Sequence, residues 1–502
     1  MLASIHLGCT WLLLALAATG CGATPSTQLA AAEVAVPAPP IPPPPAAVAS
    51  LILALLNTVP GSPAAAANFC QGLQSVAAVR ALYGPTGMPV WTLPADSVNA
   101  NARAALGLLA RAAEQGLRPA DYGGPRLGAL RDSLTLPVPS EAPAARARQQ
   151  AHLEILLSDA VLTFMRDLNR GRLHPYTVSV RERAGGRAAQ PVAALLAALA
   201  SGQVPAAMLV GQPANREYRQ LQQALARWLA EPTAPDSARQ HRARFELAAL
   251  NLERWRWEAV LAVPEYVLIN IPAYELQMVA LDSVRRRHRV VVGAPHTPTP
   301  TLSSVISHFT LAPDWHVPRS IATREMLPRL QQDAGYLARN NYALYDDQGR
   351  LLDATTIHWA GVTTGNFAYT IRQSAGCENA LGNVVFRFAN PYAVYLHDTP
   401  LRQLFARPYR ALSHGCIRLE QPMELAAYLL RREGRPVQLP SEAACARQPR
   451  PHDVRLTHGL PLYIRYATCA AERGRLVFYP DIYHRDETLR RALFGAAALV
   501  QK

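Results

Sequence analysis

The run Ser413-His414-Gly415-Cys416-Ile417-Arg418 places a thiol directly after a glycine and two residues after an imidazole. A thiol attacks a carbonyl well only as the thiolate, and a free cysteine holds its proton to about pH 8.5. An imidazole within hydrogen-bond reach takes that proton. Two histidines qualify. His414 shares the turn, where alternate residues of an extended segment point the same way. His397 lies 19 positions upstream (416 − 397), at the end of Tyr395-Leu396-His397 and before Asp398-Thr399-Pro400. A hairpin-like return from that strand end brings it opposite Cys416. Gly415 lets backbone approach closely and lets amide N–H groups face an oxyanion. The pattern reads as nucleophilic acyl transfer. Zinc held by His397, His414, Cys416 and Asp398 is one alternative, but no second Cys/His pair stands at zinc spacing, so no metal is expected. The other alternative is a chance His-x-Cys pair.

Composition removes competing chemistries. The chain has 502 residues, and the only lysine is Lys502, so 49 of the 50 basic residues are arginine. There is then no Walker A lysine, no Schiff-base lysine and no Ser-x-x-Lys pair. The formal charge of +14 asks for an acidic partner. The one basic block, Arg285-Arg286-Arg287-His288-Arg289, sits between strand-like segments and reads as an exposed edge or hairpin arm. No basic face is interleaved with aromatics, so nucleic acid is not expected and the cell envelope fits better.

The elements that position the thiol change period along the chain. From 66 to 258 the spacing is helical: Leu153, Leu156, Ala160, Phe164 and Leu168, then Tyr218, Leu221, Leu225 and Trp228, then Phe245, Ala249, Leu252 and Trp255. Gly116 and the pair Pro232 and Pro235 punctuate these helices. From 259 to 490 the period is two. Strands are expected at Tyr266–Ile271, Tyr274–Leu281 and Arg289–Val292. A hairpin is expected from Val384–Phe388 to Ala393–His397, and a last one from Leu462–Thr468 to Leu476–Tyr479. A helix should start at Pro422 and end before Gly434. The stretch 318–383 shows little regular pattern and is expected to be a cap or lid. The fold class is therefore α+β, with a helical domain, a β-rich domain and a capping insertion.

The ends carry different signals. Residues 1–21 read as an export signal ending in a lipobox, with Cys21 as a lipid anchor, or else as a signal cleaved without lipid. Residues 22–65 are Ala/Pro-rich and are expected to be a linker containing a stiff polyproline spacer; residues 491–502 are expected to be a tail. This gives an envelope or periplasmic location with membrane contact through lipid. Five cysteines lie beyond the signal: Cys70, Cys377, Cys416, Cys445 and Cys469. An odd number in an oxidising compartment leaves at least one free or intermolecularly bonded thiol. Cys445 and Cys469 flank a short segment and are candidates to pair; Cys377 is expected to be structural.

Taken together, Tyr395-Leu396-His397-Asp398-Thr399-Pro400 and Ser413-His414-Gly415-Cys416-Ile417-Arg418 resemble the active site of bacterial L,D-transpeptidases, the YkuD domain. The layout is similar to the large periplasmic YcbB-like branch. Leu250–Trp255, Ile269–Leu276, Thr297-Pro298-Thr299-Pro300, Arg372-Gln373, Asn379–Gly382 and Asp481–Tyr483 also match. The resemblance implies a YkuD-type catalytic domain and a scaffold domain. It implies Cys416 as nucleophile and His397 as proton donor and acceptor. It places His414, Gly415 and Arg418 around the oxyanion and substrate, with Asn379 and Ser413 on the substrate side. The substrate would be a peptidoglycan stem peptide, no cofactor would be needed, and carbapenem-type inhibitors would acylate the thiol. Water as acceptor would make the chain an L,D-carboxypeptidase or endopeptidase, and a chain without activity would be a wall-anchoring lipoprotein. Two departures stand out. The family's Gln-x-Pro-Gly reads Gln373-Ser374-Ala375-Gly376, followed by Cys377. The helical peptidoglycan-binding module common in relatives has no room between Trp228 and Phe245.

Overall fold

The computed structural model describes residues 45–57, 72–93, 97–135, 143–173, 190–232, 238–258, 263–447 and 450–495. The export signal, Cys21, the polyproline run to Pro44, Cys70 and residues 496–502 lie outside the described residues. The molecule is α+β, helical towards the N-terminus and β-rich towards the C-terminus.

Nine helices make up the described helical region: α1 (Pro45–Leu56), α2 (Val76–Tyr83), α3 (Ala100–Ala110), α4 (Gly124–Thr135), α5 (Pro143–Arg170), α6 (Pro191–Ser201), α7 (Val204–Leu209), α8 (Arg216–Ala230) and α9 (Ala238–Trp257). The long α5 is surrounded by the others and buries Leu153, Ile155, Leu157, Val161 and Phe164 completely. It also buries Glu154, an arrangement that would cost several kcal/mol unpaired. The carboxylate accepts the N–H groups of Val90, Trp91 and Thr92 and the hydroxyl of Tyr83. One expectation is corrected at the start of the chain. Residues 45–56 are not linker but α1, which sinks Val48, Ile52 and Leu56 into the α5 core. After Pro45 the sequence has no further proline until Pro60 and is apolar at helical spacing, so burial can drive the helix. The tail is corrected likewise: helix α11 (Asp486–Phe494) packs Leu493 and Phe494 against α9.

The β-rich region is a ring of eight strands: β1 (Glu265–Asn270), β2 (Glu275–Ala280), β3 (Ser283–Gly293), β4 (Leu302–Leu311), β5 (Val384–Phe388), β6 (Leu396–His397), β7 (Ile417–Leu419) and β8 (His452–Arg465). Neighbours run β3-β7-β6-β5-β4-β8-β1-β2 and close back onto β3, and a short ninth strand, Ala411–Ser413, lies along β3. Inside lie Val267, Ile269, Leu276, Val292, Phe309, Phe386, Leu396, Ile417 and Leu462, capped by helix α10 (Pro422–Arg432) through Leu425, Ala426 and Leu429. The basic block is the outer arm of β3, paired with β2. Arg286, Arg287 and Arg289 meet Glu424, Glu275 and Glu420, while His288 turns inward. The final hairpin differs from expectation: it joins Cys469–Glu472 to Arg475–Phe478. Residues 462–465 instead belong to β8, where their alternate apolar side chains fill the gap between β4 and β1. Arg473 and Gly474 both have positive φ, as a two-residue hairpin turn requires.

The capping stretch is more ordered than its sequence pattern. Trp315–His316, Thr370–Gln373, Tyr342–Tyr345 and Leu351–Leu352 form one small sheet, with a short helix Leu327–Gln332 beside it. A separate core of Val317, Met326, Leu330, Leu344, Trp359, Phe367 and Ile371 holds it together. Strands of two to four residues are too short to show a period, which is why the sequence conceals them. Between the two main regions α8 and α9 press Tyr218, Leu225, Leu252 and Trp255 onto Tyr266, Leu268 and Tyr463.

The disulfide is Cys377–Cys445, and the expected Cys445–Cys469 pair is not made. Cys469 is a free thiol, fully buried where α8 and α9 pack on the sheet. The bond ties the base of the cap to the connector between α10 and β8, across 68 residues of sequence. By loop-closure entropy a span of that size contributes roughly 4 kcal/mol, and measured cases run about 2–4. Cys445→Ser is therefore expected to lower the unfolding free energy by about 2–4 kcal/mol. A urea titration with and without reductant checks it; a wild-type midpoint unmoved by reduction would contradict the bond's role.

Candidate active site

The site is built on two very short strands. β6 and β7 pair in parallel, with Leu396 opposite Ile417 and His397 opposite Arg418, and the Ile417 N–H donates to the Tyr395 carbonyl at 3.0 Å. Leu396 and Ile417 are wholly buried inside the ring. Side chains alternate along a strand, so Tyr395, His397, Cys416 and Arg418 share the opposite face. The expected hairpin-like return is thus a parallel crossover. The connection between the strands makes a turn at Arg402–Ala406, lays Ala411–Ser413 along β3, and only then reverses into β7. A crossover of this length is what parallel pairing demands.

The reversal at residues 413–416 is braced from beneath. Thr297 Oγ1 donates to the Ser413 carbonyl at 3.0 Å, and Thr299 Oγ1 to the Gly415 carbonyl at 2.8 Å. Thr299 Oγ1 in turn accepts the Gly293 N–H at 2.8 Å. A Cβ on Gly293 would lie 2.1 Å from the Thr297 carbonyl oxygen, so only glycine permits this approach. Gly415 itself has φ 112°, which side-chain-bearing residues rarely adopt. Ser413, expected on the substrate side, is 3% exposed; its hydroxyl donates to the Cys416 carbonyl at 2.5 Å and accepts the Gly415 N–H at 3.2 Å. It is a brace. The same bond occupies the Gly415 N–H. Among the described residues no hydrogen bond takes the N–H of His414 or Cys416, and these two amides are free to face an oxyanion.

Burial sets the charge state. His397 is 5% exposed, and its Nδ1 donates to the Asp398 carbonyl at 2.5 Å, which leaves Nε2 as the unprotonated ring nitrogen. Burial, then the Arg418 charge, push the imidazolium down to about 3, against the hydrogen bond to Asp398. Burial also raises the Cys416 thiol, while the Tyr395 N–H and the Arg418 charge pull it back. The Cys416 thiol and the His397 imidazole are therefore both neutral near pH 7, rather than the thiolate expected from the motif alone. Arg418 is the charged group that favours the thiolate, and burial lowers its own pKa against the influence of Cys416. The Asp398 carboxylate accepts the Asn383 N–H at 2.8 Å and pairs with Arg402 at 3.3 Å. Among the described residues no three His, Cys, Asp or Glu side chains are placed to hold a metal ion.

Other expected positions fall elsewhere. The His414 ring is exposed and reaches Glu325 of the cap, Nε2 to Oε1, at 2.6 Å. Asn379, expected to meet substrate, is 1% exposed. Its amide donates to the carbonyls of Pro313, Gln373 and Ser374 and accepts the Leu381 N–H, pinning the neck of the cap. The sequence reading overlooked Tyr395. Its ring stands 6.0 Å from that of His397, and burial with the nearby Cys416 pushes it up to about 12, against the Arg387 charge and the Trp315 indole of the cap. Its place two residues before His397 in a strand was the available signal. Thr299 stood in a stretch that resembles the family but drew no role of its own, and Glu325 gave no signal, since a cap contact leaves no period.

Comparison with known proteins decides the family. Residues 77–225 match the model of a scaffold domain, and residues 264–439 match that of the L,D-transpeptidase catalytic domain. A Haemophilus influenzae protein named as an L,D-transpeptidase is 30% identical over 365 residues, covering 69% of this chain and 70% of that one. The chain belongs to the L,D-transpeptidase family. A solved L,D-transpeptidase from Mycobacterium smegmatis is 14% identical with a TM-score of 0.19; the match spans 40% of this chain and 58% of that one. In this L,D-transpeptidase the scaffold match lies on α2–α8, and the catalytic match contains the cap, β1–β7 and α10.

The charge analysis fixes a pH response. The raised thiol predicts that iodoacetamide labelling of Cys416 climbs with pH through a midpoint above the ordinary thiol value. Arg418→Gln removes the charge that favours the thiolate, so its midpoint should move higher still. Peptide-resolved labelling kinetics measure both, and a midpoint near 7 would contradict the burial argument.

Proposed function

We propose that this protein is a murein L,D-transpeptidase that works through a cysteine acyl-enzyme. The observation that carries the reading is the shared face of β6 and β7, with Cys416, His397 and Arg418 together on it. Cys416 Sγ attacks the carbonyl carbon of the third residue of a peptidoglycan tetrapeptide stem, and its proton passes to His397 Nε2. The N–H groups of Cys416 and His414 receive the developing oxyanion. The imidazolium then protonates the departing amine of the terminal D-Ala, whose bond to the acyl carbon breaks. An incoming amine of a second stem gives its proton to His397 and displaces Cys416, forming a 3-3 cross-link. Burial raises the cost of the thiolate–imidazolium pair in the empty site, and Arg418 offsets part of it.

The acyl-enzyme must outlast encounters with water until an amine arrives. The cap, reaching the catalytic turn through Glu325 and Tyr395 through Trp315, supports a role in that exclusion. The proposal also includes a periplasmic envelope location, a lipid on Cys21 and acylation of Cys416 by carbapenems. The lipid is checked by detergent partitioning: Cys21→Ser should move the protein to the aqueous phase.

The test is product analysis after incubation with purified disaccharide tetrapeptides. Cross-linked dimers between third residues, with free D-Ala, are expected. Cys416→Ala and His397→Ala should each lose at least roughly a thousandfold in turnover, as removal of a nucleophile or its base does in comparable triads. Tripeptides alone at every acceptor concentration would make the enzyme a carboxypeptidase. Full activity in Cys416→Ala would end the proposal.

A further inference from the structure

Glu325 stands on a single π-helical turn, Ala322–Met326, where the Leu327 N–H reaches five residues back to the Ala322 carbonyl. The cause is local. Pro328 follows directly; it offers no N–H, and its ring would crowd the Arg324 carbonyl in a regular helix. The wider turn relieves that crowding and re-aims the side chains it carries, as such turns do at functional sites. Glu325 leaves the cap here and meets His414, whose neighbours are Ser413, Gly415 and Cys416.

The cap is a body of its own. Its core is distinct from the ring's core, and the chain enters it through 312–315 and leaves through 373–379. The neck is firmly tied: the Ala375 N–H donates to Asp314 Oδ1 at 3.0 Å, Asn379 bridges both strands of it, and Cys377 is bonded to Cys445. A body fixed at one end moves most at the other, and the Glu325 contact lies at the catalytic turn. Both side chains are nearly half exposed, at 45% for His414 and 44% for Glu325. Exposed ionic contacts contribute little and break easily. That suits a closure that substrate must open.

We propose that Glu325 is a positioning residue that latches the cap onto the catalytic turn by accepting the His414 Nε2–H, and so favours transfer to an amine over hydrolysis of the acyl-enzyme. The contact holds the His414 ring, and with it the turn whose His414 and Cys416 amides face the oxyanion. Glu325 touches no reacting atom and no proton passes through it. The part concerning transfer rests on the transpeptidase reading above; the latch itself does not.

The test uses the full mature chain and two measurements. Hydrogen–deuterium exchange needs no substrate. Glu325→Ala should speed exchange about two- to fivefold in 319–332 and 411–418, the range expected for losing an exposed ionic contact, with α5 unchanged. His414→Ala should do the same, and the double variant should add nothing further. Glu325→Asp should restore part of the protection. The second measurement is the ratio of hydrolysed to transferred product from disaccharide tetrapeptides. It should rise about two- to fivefold in Glu325→Ala, by the same free-energy argument. Unchanged exchange in Glu325→Ala would overturn the latch, and so would faster exchange throughout the molecule, which would mark a merely structural residue. A wild-type protein that makes no transfer product would overturn the transpeptidase reading while the exchange data still decided the latch. An unchanged product ratio alongside faster cap exchange would overturn the coupling to transfer.

Discussion

Two residues of β6 and three of β7 carry the site, and their parallel register is the constraint on which the rest of the structure depends. A slip of one residue would turn Leu396 and Ile417 outward and bury His397 and Arg418 in an apolar ring. The ring prevents it by packing both apolar residues at its centre, with β5 and β3 pairing on either flank. The reversal before β7 is then held by hydroxyl groups, Thr297, Thr299 and Ser413, each satisfying a main-chain group that a tight turn would otherwise leave bare. The placement of Cys416, His397 and Arg418 is a product of sheet register plus a braced turn.

The same burial that fixes the geometry determines the chemistry. A thiol and an imidazole placed together in water exchange a proton readily; placed in this face, both are held neutral. In the proposed reaction the charge separation needed for attack is favoured by the Tyr395 N–H, by Arg418 and by the amides of the turn.

Much of this was legible in the residues. The switch from helical to alternating period near 259 located the boundary between the two regions, and the helix from Pro422 to Arg432 ends as its punctuation requires. The Cys416 motif and the histidine before Asp398 were readable because a strand end and a glycine turn leave local marks. What stayed hidden is non-local. Parallel rather than hairpin pairing depends on where Ala411–Ser413 docks. The partner of Cys377 lies 68 residues away. Asn379 and Ser413 look like substrate ligands by type, yet both spend their hydrogen bonds on backbone. The cap's core is assembled from scattered aromatics with no period. Residues 45–56 followed a proline run and took on its character in the reading, although their own pattern is that of a buried helix.

The most direct test of the account is to locate the acyl group. Arg410 and Arg418 bracket the catalytic turn, so trypsin releases residues 411–418 as one peptide containing Cys416. After brief incubation with a disaccharide tetrapeptide and acid quenching, the account predicts that the substrate mass less D-Ala appears on that peptide as a thioester, and that His397→Ala abolishes it. An acyl group on any other peptide, or undiminished acylation without His397, would contradict it.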